Sequence, residues 1–176
     1  FLKAGADAPE NLFAYVDFDA VPNVKKRIKT FEAHAADYNA DGDAFLWGAE
    51  KDKGKNLLGA INYLASKGMN VFSFLTFNVD GDDRNVFPHL LKVSIEEYTK
   101  TCSNNKYLKA WEELVDQTRF DVSKMEQWER VFDYGQMKGM YLHFKTQETE
   151  NDHSMDGGET DLTRKLYYRE LIARFG

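Results

Sequence analysis

The stretch Asn56-Leu-Leu-Gly-Ala-Ile-Asn-Tyr-Leu-Ala-Ser-Lys67-Gly68-Met69 runs directly into the apolar segment Asn70-Val-Phe-Ser-Phe-Leu-Thr-Phe77, and this pair decides the fold. The same order returns later, where an amphipathic segment ending in Lys138-Gly139-Met140 is followed by Tyr141-Leu-His-Phe-Lys-Thr146. Both apolar segments have strand composition, and helical periodicity lies between them. A strand that follows its predecessor only after a helix pairs with it in parallel. The sequence therefore predicts consecutive β/α units.

The rest of the chain extends this pattern. The apolar residues at 1–6 predict a first strand, and residues 21–55 read mostly as loop with a short helix near 24–35. Helices are predicted at 56–67, at 105–117, from a capping box at Ser123–Glu126 onward, and at 162–174 with an inward stripe. The inward residues of that last helix are expected to be Leu162, Leu166, Tyr167, Leu171 and Ile172. We predict an α/β fold, a partial TIM-type (β/α)8 barrel of roughly the first three β/α units.

Composition narrows the class of protein. The chain has 176 residues, 43% of them hydrophobic, and a net charge of −6. Nucleic acid is excluded as an expected partner because phosphate binding needs clustered Lys and Arg. No apolar run reaches the roughly 20 residues of a membrane span. Cys102 is the single cysteine, so an internal disulfide is excluded. No nucleotide, zinc or other cofactor motif is present, and we expect no cofactor and no metal site.

Chemistry in parallel sheets collects just beyond the carboxyl ends of the strands. Polar residues follow each of the three predicted strands, and these are the expected ligand-binding positions. They are Asp7, Glu10 and Asn11 after the first strand; Asn78, Asp80 and Asp82 after the second; and Gln147, Glu148 and Glu150 after the third. Within the third strand, His143 and Lys145 point to one side, which would be the interior of a barrel.

Several of these residues have two readings. Three acids within 147–152 repel one another unless a ligand or a cation such as His143 or Lys145 offsets them, and the other reading is a charged loop in water. Trp47, which precedes a glycine, either stacks on a sugar ring or fills a gap. The segment 37–43 matches the first half of an EF-hand loop, but the twelfth position is Gly48 instead of glutamate. An acidic surface turn is favoured there over a calcium site.

Several stretches resemble the catalytic-barrel region of secreted glycoside hydrolases, mainly bacterial and often marine. They are Phe1-Leu-Lys-Ala-Gly-Ala-Asp-Ala-Pro-Glu-Asn11, residues 54–68, Phe120-Asp-Val-Ser-Lys-Met-Glu-Gln-Trp128, Leu142-His-Phe-Lys-Thr-Gln-Glu-Thr-Glu-Asn-Asp152, and residues 156–159 with 164–176. In that family an immunoglobulin-like domain of unknown function precedes the barrel. The resemblance implies a (β/α)8 barrel whose acid/base glutamate follows strand four and whose nucleophilic glutamate follows strand seven. Residues around 92–115 look like an insertion relative to the bacterial members.

On this resemblance residues 1–176 are the N-terminal part of the barrel, and both catalytic glutamates are expected outside the chain. The expected function is that of a secreted glycoside hydrolase-like enzyme acting on a polysaccharide, with this portion supplying substrate-binding loops. Its expected partners are an oligo- or polysaccharide and the remainder of its own barrel, with no nucleic acid and no membrane. A non-catalytic carbohydrate-binding or structural protein on the same scaffold is the alternative. A second alternative is a self-standing small α/β module.

Overall fold

The structure is a computed structural model that describes residues 3–6, 12–19, 28–81, 85–103 and 106–176. Five strands and five α-helices are defined within these ranges. The strands are β1 (Gly5–Ala6), β2 (Val71–Leu75), β3 (His89–Leu91), β4 (Val115–Phe120) and β5 (Tyr141–Lys145). The helices are α1 (Lys55–Ser66), α2 (Ile95–Cys102), α3 (Tyr107–Leu114), α4 (Val122–Met137) and α5 (Leu162–Phe175). Short 3₁₀ helices cover Glu32–Asp37, Ala40–Phe45, Thr149–Ser154 and Asp156–Gly158.

The main sheet has the order β1-β2-β5, and both pairings are parallel. Gly5 lies opposite Val71, and Phe74 lies opposite Phe144. The predicted parallel pairing of the three segments is therefore confirmed, as is the general α/β class. The reason is local: the two strand segments β2 and β5 are each preceded by a helix that returns the chain to the same edge of the sheet.

One face of this sheet is covered by helices. Phe72 and Phe74 of β2 are buried in a core that also contains α1 and α4 residues, and Leu142 and Phe144 of β5 pack against it. Helix α4 lies so close that a Cβ added at Gly135 would be 2.8 Å from Cε1 of Phe72. Because side chains alternate along a strand, Ser73 and its register partner His143 lie on the opposite face.

A second unit lies between β2 and α4. Strands β3 and β4 pair antiparallel, and helices α2 and α3 connect them. We call residues 89–120 the insertion, because they lie in the chain between β2 and β5, which are neighbours in the main sheet. The insertion forms a second core around Trp111, which is fully buried together with Tyr98 and with Phe77 and Tyr167 from outside the insertion. The prediction of a helix through residue 117 was wrong, because the helix ends at Leu114 and the chain continues as β4.

Two other details differ from the prediction, the cap of α4 and the inward stripe of α5. The cap of α4 is Asp121, whose Oδ1 accepts from the Lys124 backbone amide at 3.2 Å. Ser123 is not the cap because its hydroxyl donates to Asp19 Oδ2 at 2.9 Å. In α5, Leu162 and Ile172 are 59% and 70% exposed, so the inward stripe was misplaced at both positions. The prediction is confirmed for Tyr167 and Leu171, which are buried, and Leu166 is partly exposed. The third buried residue is Arg164, which was not predicted and lies three positions before Tyr167.

Part of the chain before α1 also departs from the loop prediction, since the two 3₁₀ helices at 32–37 and 40–45 lie there. The helix expected near 24–35 falls partly outside the described residues. Among the helices of the described residues, none has the length and apolar character needed to cross a lipid bilayer.

Candidate functional site

Two predicted positions meet at the carboxyl edge of the main sheet. Asn78, three residues beyond β2, donates from Nδ2 to Glu148 Oε2 at 3.1 Å, and Glu148 follows β5 by the same spacing. Asn78 is fully buried, whereas Glu148 is partly exposed. The ladder continues to this edge, because the Thr76 amide donates to the Lys145 carbonyl at 3.1 Å. The expectation that the loops after the second and third strands come together is therefore confirmed for this pair.

Asn151 joins the two loops and was not singled out from the sequence. It is fully buried, and its Oδ1 accepts from the amides of Val79 and Asp80 at 2.9 and 3.0 Å. Its Nδ2 donates to Asn78 Oδ1 at 3.1 Å. The only available signal was its place among the acids at 147–152. The predicted binding residues of this segment were chosen mainly for their charge, whereas the neutral side chain of Asn151 fixes the two loops relative to each other.

Gly81 closes the site from the side of the β2 loop. Its amide donates to Asn78 Oδ1 at 2.8 Å. A Cβ at this position would be 1.8 Å from Glu148 Oε2 and 2.7 Å from Asn78 Oδ1. Real Cβ atoms do not approach so closely, so a glycine is required for the Glu148 carboxylate to reach Asn78. We call Asn78, Gly81, Glu148 and Asn151 the edge cluster.

A buried tyrosine of α5 supports the floor beneath the edge cluster. The Tyr167 hydroxyl donates to the Thr146 carbonyl at 2.7 Å and lies 2.5 Å from Thr76 Oγ1. Thr76 and Thr146 are the first residues after β2 and β5, so one side chain ties the two strand ends together. Burial raises the pKa of Tyr167 well above its usual value, which keeps the hydroxyl protonated and able to donate.

Two other predicted residues lie on the sheet face that α1 and α4 do not cover. His143 is exposed, and its Nδ1 is 2.9 Å from the Ser73 hydroxyl across the β2–β5 pair. Lys145 is partly exposed and lies two residues nearer the edge cluster. The two side chains share a face, as predicted from strand alternation.

The other acids and the amide after β5 point in different directions. Glu150 is exposed. Gln147 donates from Nε2 to Asp152 Oδ1 at 3.1 Å, and Arg164 donates to the same carboxylate oxygen at 3.3 Å. The carboxylate of Asp152 is therefore offset by Arg164, a partner that the sequence analysis did not name.

Trp47 does not lie at the strand ends. It is 5% exposed, its ring stacks on Phe18 at 5.2 Å, and its Nε1 donates to the Asp17 carbonyl at 2.7 Å. Of its two interpretations the structure supports the gap-filling one, because a buried indole has no free face for a sugar.

Among the other predicted binding residues, Asp80 is partly exposed beside the edge cluster. Asp7, Glu10, Asn11 and Asp82 fall outside the described residues.

In the edge cluster the side chains of Asn78 and Asn151 are buried and bonded to one another and to backbone amides. The partly exposed Glu148 carboxylate is the member of the cluster that solvent reaches, and it is a strong hydrogen-bond acceptor. Within the described part of the chain, no group of three or more His, Cys, Asp or Glu side chains is placed to hold a metal ion. In the half EF-hand segment, Asp41 pairs with Lys138 at 3.1 Å and Asp43 bonds the Tyr38 hydroxyl. These contacts fit the acidic-turn reading.

No protein-family model matches this chain, and neither a curated protein nor a solved structure matches it significantly.

Proposed function

We propose that this chain forms the first three β/α units of a (β/α)8 barrel in a secreted, glycoside hydrolase-like enzyme. The enzyme acts on a polysaccharide, and this portion supplies substrate-binding loops after the strands. The observation that carries the proposal is the hydrogen bond between Asn78 and Glu148 at the carboxyl edge of a parallel sheet. In (β/α)8 barrels, ligands bind at this edge.

The barrel part of the proposal is supported by the winding of the main sheet. Strand order follows chain order, and α1 and α4 share one face. The end of α5 lies on that face too, since the ring of Phe175 meets those of Phe132 and Phe144 at 5.0 and 5.9 Å. A doubly wound sheet reverses direction and places helices on both faces. Helices on one side only are typical of a barrel wall, with the other face turned to the interior.

The free edge of the sheet supports the same assignment. Strand β5 is the last in the sheet, and Tyr141 at its start is 44% exposed. A groove of about equally polar and apolar surface runs beside it and is lined by Gln136, Gly139, Met140, Tyr141, Leu142, Phe144 and Phe175. Among the described residues no strand pairs with the outer edge of β5, and an uncovered parallel edge is a liability in water. The next strand and helix of the same barrel would pair with β5 and fill this groove.

Substrate binding is supported by the chemistry of the edge cluster. Sugar hydroxyls donate hydrogen bonds that the partly exposed Glu148 carboxylate accepts, while the buried Asn78 amide holds that carboxylate in place. The insertion enters the chain after β2, on the edge where barrels vary their loops to change specificity. The proposal assigns binding, not bond cleavage, to Glu148, and a positioning role to the buried Asn78. It includes His143 and Lys145 as interior-facing binding residues below them.

Affinity electrophoresis of the intact protein through gels that contain soluble polysaccharides tests the binding role. For a polysaccharide that retards the protein, Glu148→Gln should weaken binding about 10- to 100-fold, because a charge-assisted hydrogen bond contributes about 1.5–3 kcal/mol. Glu112→Gln, on the exposed surface of α3, makes the same charge change and should leave retardation unaltered. Equal retardation of both variants, or no retardation of the wild type by any polysaccharide, would contradict the proposal.

Release of new reducing ends from the retarding polysaccharide separates the enzyme from the alternative. Hydrolysis supports the enzyme. Retardation with no hydrolysis favours a non-catalytic carbohydrate-binding protein on the same scaffold.

A further inference from the structure

His89 occupies an unusual position at the start of β3. It is fully buried, and neither ring nitrogen has a hydrogen-bond partner among the described residues. Aromatic rings surround it: the centroids of Trp111 and Phe120 both lie 4.9 Å away, and that of Tyr167 lies 5.9 Å away at an interplanar angle of 26°. A neutral imidazole fits this apolar cage, whereas an imidazolium would bury a charge whose two N–H donors find no acceptor.

The ionisable groups around the cage do not offer a counter-charge inside it. From α4, the buried Lys124 ammonium contributes a like charge and donates to the Phe87 carbonyl at 2.9 Å. From β4, Asp116 exerts the opposing, weaker electrostatic influence, and its Oδ1 already accepts from the amide and hydroxyl of Thr118 at 3.1 and 2.8 Å. From α5, the Tyr167 hydroxyl is bonded to the strand ends. Helix α3 and the segment before β3 contribute Trp111, Phe77 and Phe87.

The cage is connected to the edge cluster by two routes. Tyr167, which stacks on His89, ties Thr76 to Thr146 beneath the cluster. The loop that carries Asn78 and Gly81 ends at the Asn78–Val86 bridge, three residues before β3. Movement of β3 away from α5 would therefore disturb both the strand ends that Tyr167 ties together and the loop that carries Asn78 and Gly81.

We propose that His89 is an acid-sensitive latch, whose protonation detaches the insertion from α5 and lowers ligand affinity at the edge cluster. The effect on affinity rests on the proposed function, while the detachment does not.

The direction follows from the two protonation states. Burial, followed by the charge of Lys124, lowers the pKa of His89 to about 3 in the closed state. An exposed imidazole in the open state has its ordinary pKa of about 6.5. The open state therefore takes up the proton first, and the closed state loses stability as pH falls from about 6.5 toward 3. Over this window the open-to-closed ratio rises tenfold per pH unit.

The three tryptophans allow the two cores to be followed separately, because Trp111 lies in the core of the insertion and Trp47 and Trp128 lie in the core of the main sheet. Labelling the full chain with 5-fluorotryptophan gives one ¹⁹F signal for each. On acidification the Trp111 signal should change at a higher pH than the Trp128 signal. His89→Phe keeps an aromatic ring that cannot ionise and should lower the Trp111 midpoint by at least one pH unit. His34→Gln removes a partly exposed imidazole and should leave it unchanged.

One coincident transition of all three signals would overturn the proposal, as would a Trp111 midpoint that His89→Phe does not move. If His89→Phe does not fold, the wild-type ¹³Cε1 shift of His89 decides instead, and titration near pH 6.5 with the Trp111 signal unchanged overturns it. Affinity electrophoresis between pH 7 and 4.5 gives the second readout. Absence of binding at every pH refutes the proposed function, and the ¹⁹F signals still decide the latch.

Discussion

Replacing Gly81 with alanine places a methyl group where the two site loops touch. The new Cβ would lie 1.8 Å from Glu148 Oε2 and 2.7 Å from Asn78 Oδ1. The closer of these atoms is the end of a flexible, partly exposed side chain, so Glu148 should swing away first. Asn78 is fully buried and would then keep its Nδ2 without the Glu148 acceptor.

Two costs set the magnitude of this change. A buried amide donor that loses its acceptor costs about 1–3 kcal/mol. Overpacking against Asn78 Oδ1 adds a cost of about 1 kcal/mol or more. We therefore expect the free energy of unfolding to fall by roughly 2–4 kcal/mol, with the parallel sheet retained. Binding to a retarding polysaccharide should fall together with the displacement of Glu148.

Urea unfolding followed by circular dichroism measures the stability loss, and the ¹H–¹⁵N resonances of the Asn78 side-chain amide report the lost hydrogen bond. Gly139→Ala is the matched control. A Cβ there meets nothing within 4 Å, but the backbone has φ +77°, so alanine costs roughly 1–2 kcal/mol without touching the site. The reasoning is refuted if Gly81→Ala unfolds like the wild type and leaves the Asn78 amide resonances in place.

The remaining two predictions concern the support of the site and the corrected helix cap. Tyr167→Phe should lower the free energy of unfolding by about 1–3 kcal/mol, because the fully buried Thr76 and the Thr146 carbonyl lose a shared partner. Urea unfolding measures this free energy. A loss of stability in Tyr167→Phe no larger than the loss in the adjacent Tyr168→Phe would contradict the prediction. Asp121→Ala should cost about 1 kcal/mol through loss of the α4 cap, more than Ser123→Ala. Thermal unfolding of the two variants compares them, and the reverse order would restore Ser123 as the cap.

The parallel sheet could be predicted from the sequence because its evidence is local. Each strand segment, at β2 and at β5, follows an amphipathic helix that ends in Lys-Gly-Met, and this repeat alone implies parallel pairing. The meeting of Asn78 with Glu148 follows from that pairing, since both residues come three positions after their strands. Register and direction were thus enough to bring these two predicted residues together.

The antiparallel pair β3–β4 could not be predicted in the same way. Strand β3 has only three residues, and β4 carries Asp116 and Arg119 on a short, partly exposed ribbon. Leu114 and Val115 continue the helical spacing of α3, so periodicity alone extends the helix past its true end. The burial of Trp47 was also beyond local sequence, because it depends on Phe18 and Asp17 about thirty positions away.

Three acidic side chains lie close together in the sequence after β5, and the fold separates them. Glu148, Glu150 and Asp152 would repel one another if all three faced the same space. The 3₁₀ turn at Thr149–Ser154 sends them apart: Glu148 turns to Asn78, Glu150 faces solvent, and Asp152 meets Arg164. Asn151 sits between them as a neutral residue, and a carboxylate there could not donate to Asn78 Oδ1. Of these three acids, Glu148 is the one that lies against the amide of Asn78 at the strand ends, the arrangement on which the binding role depends.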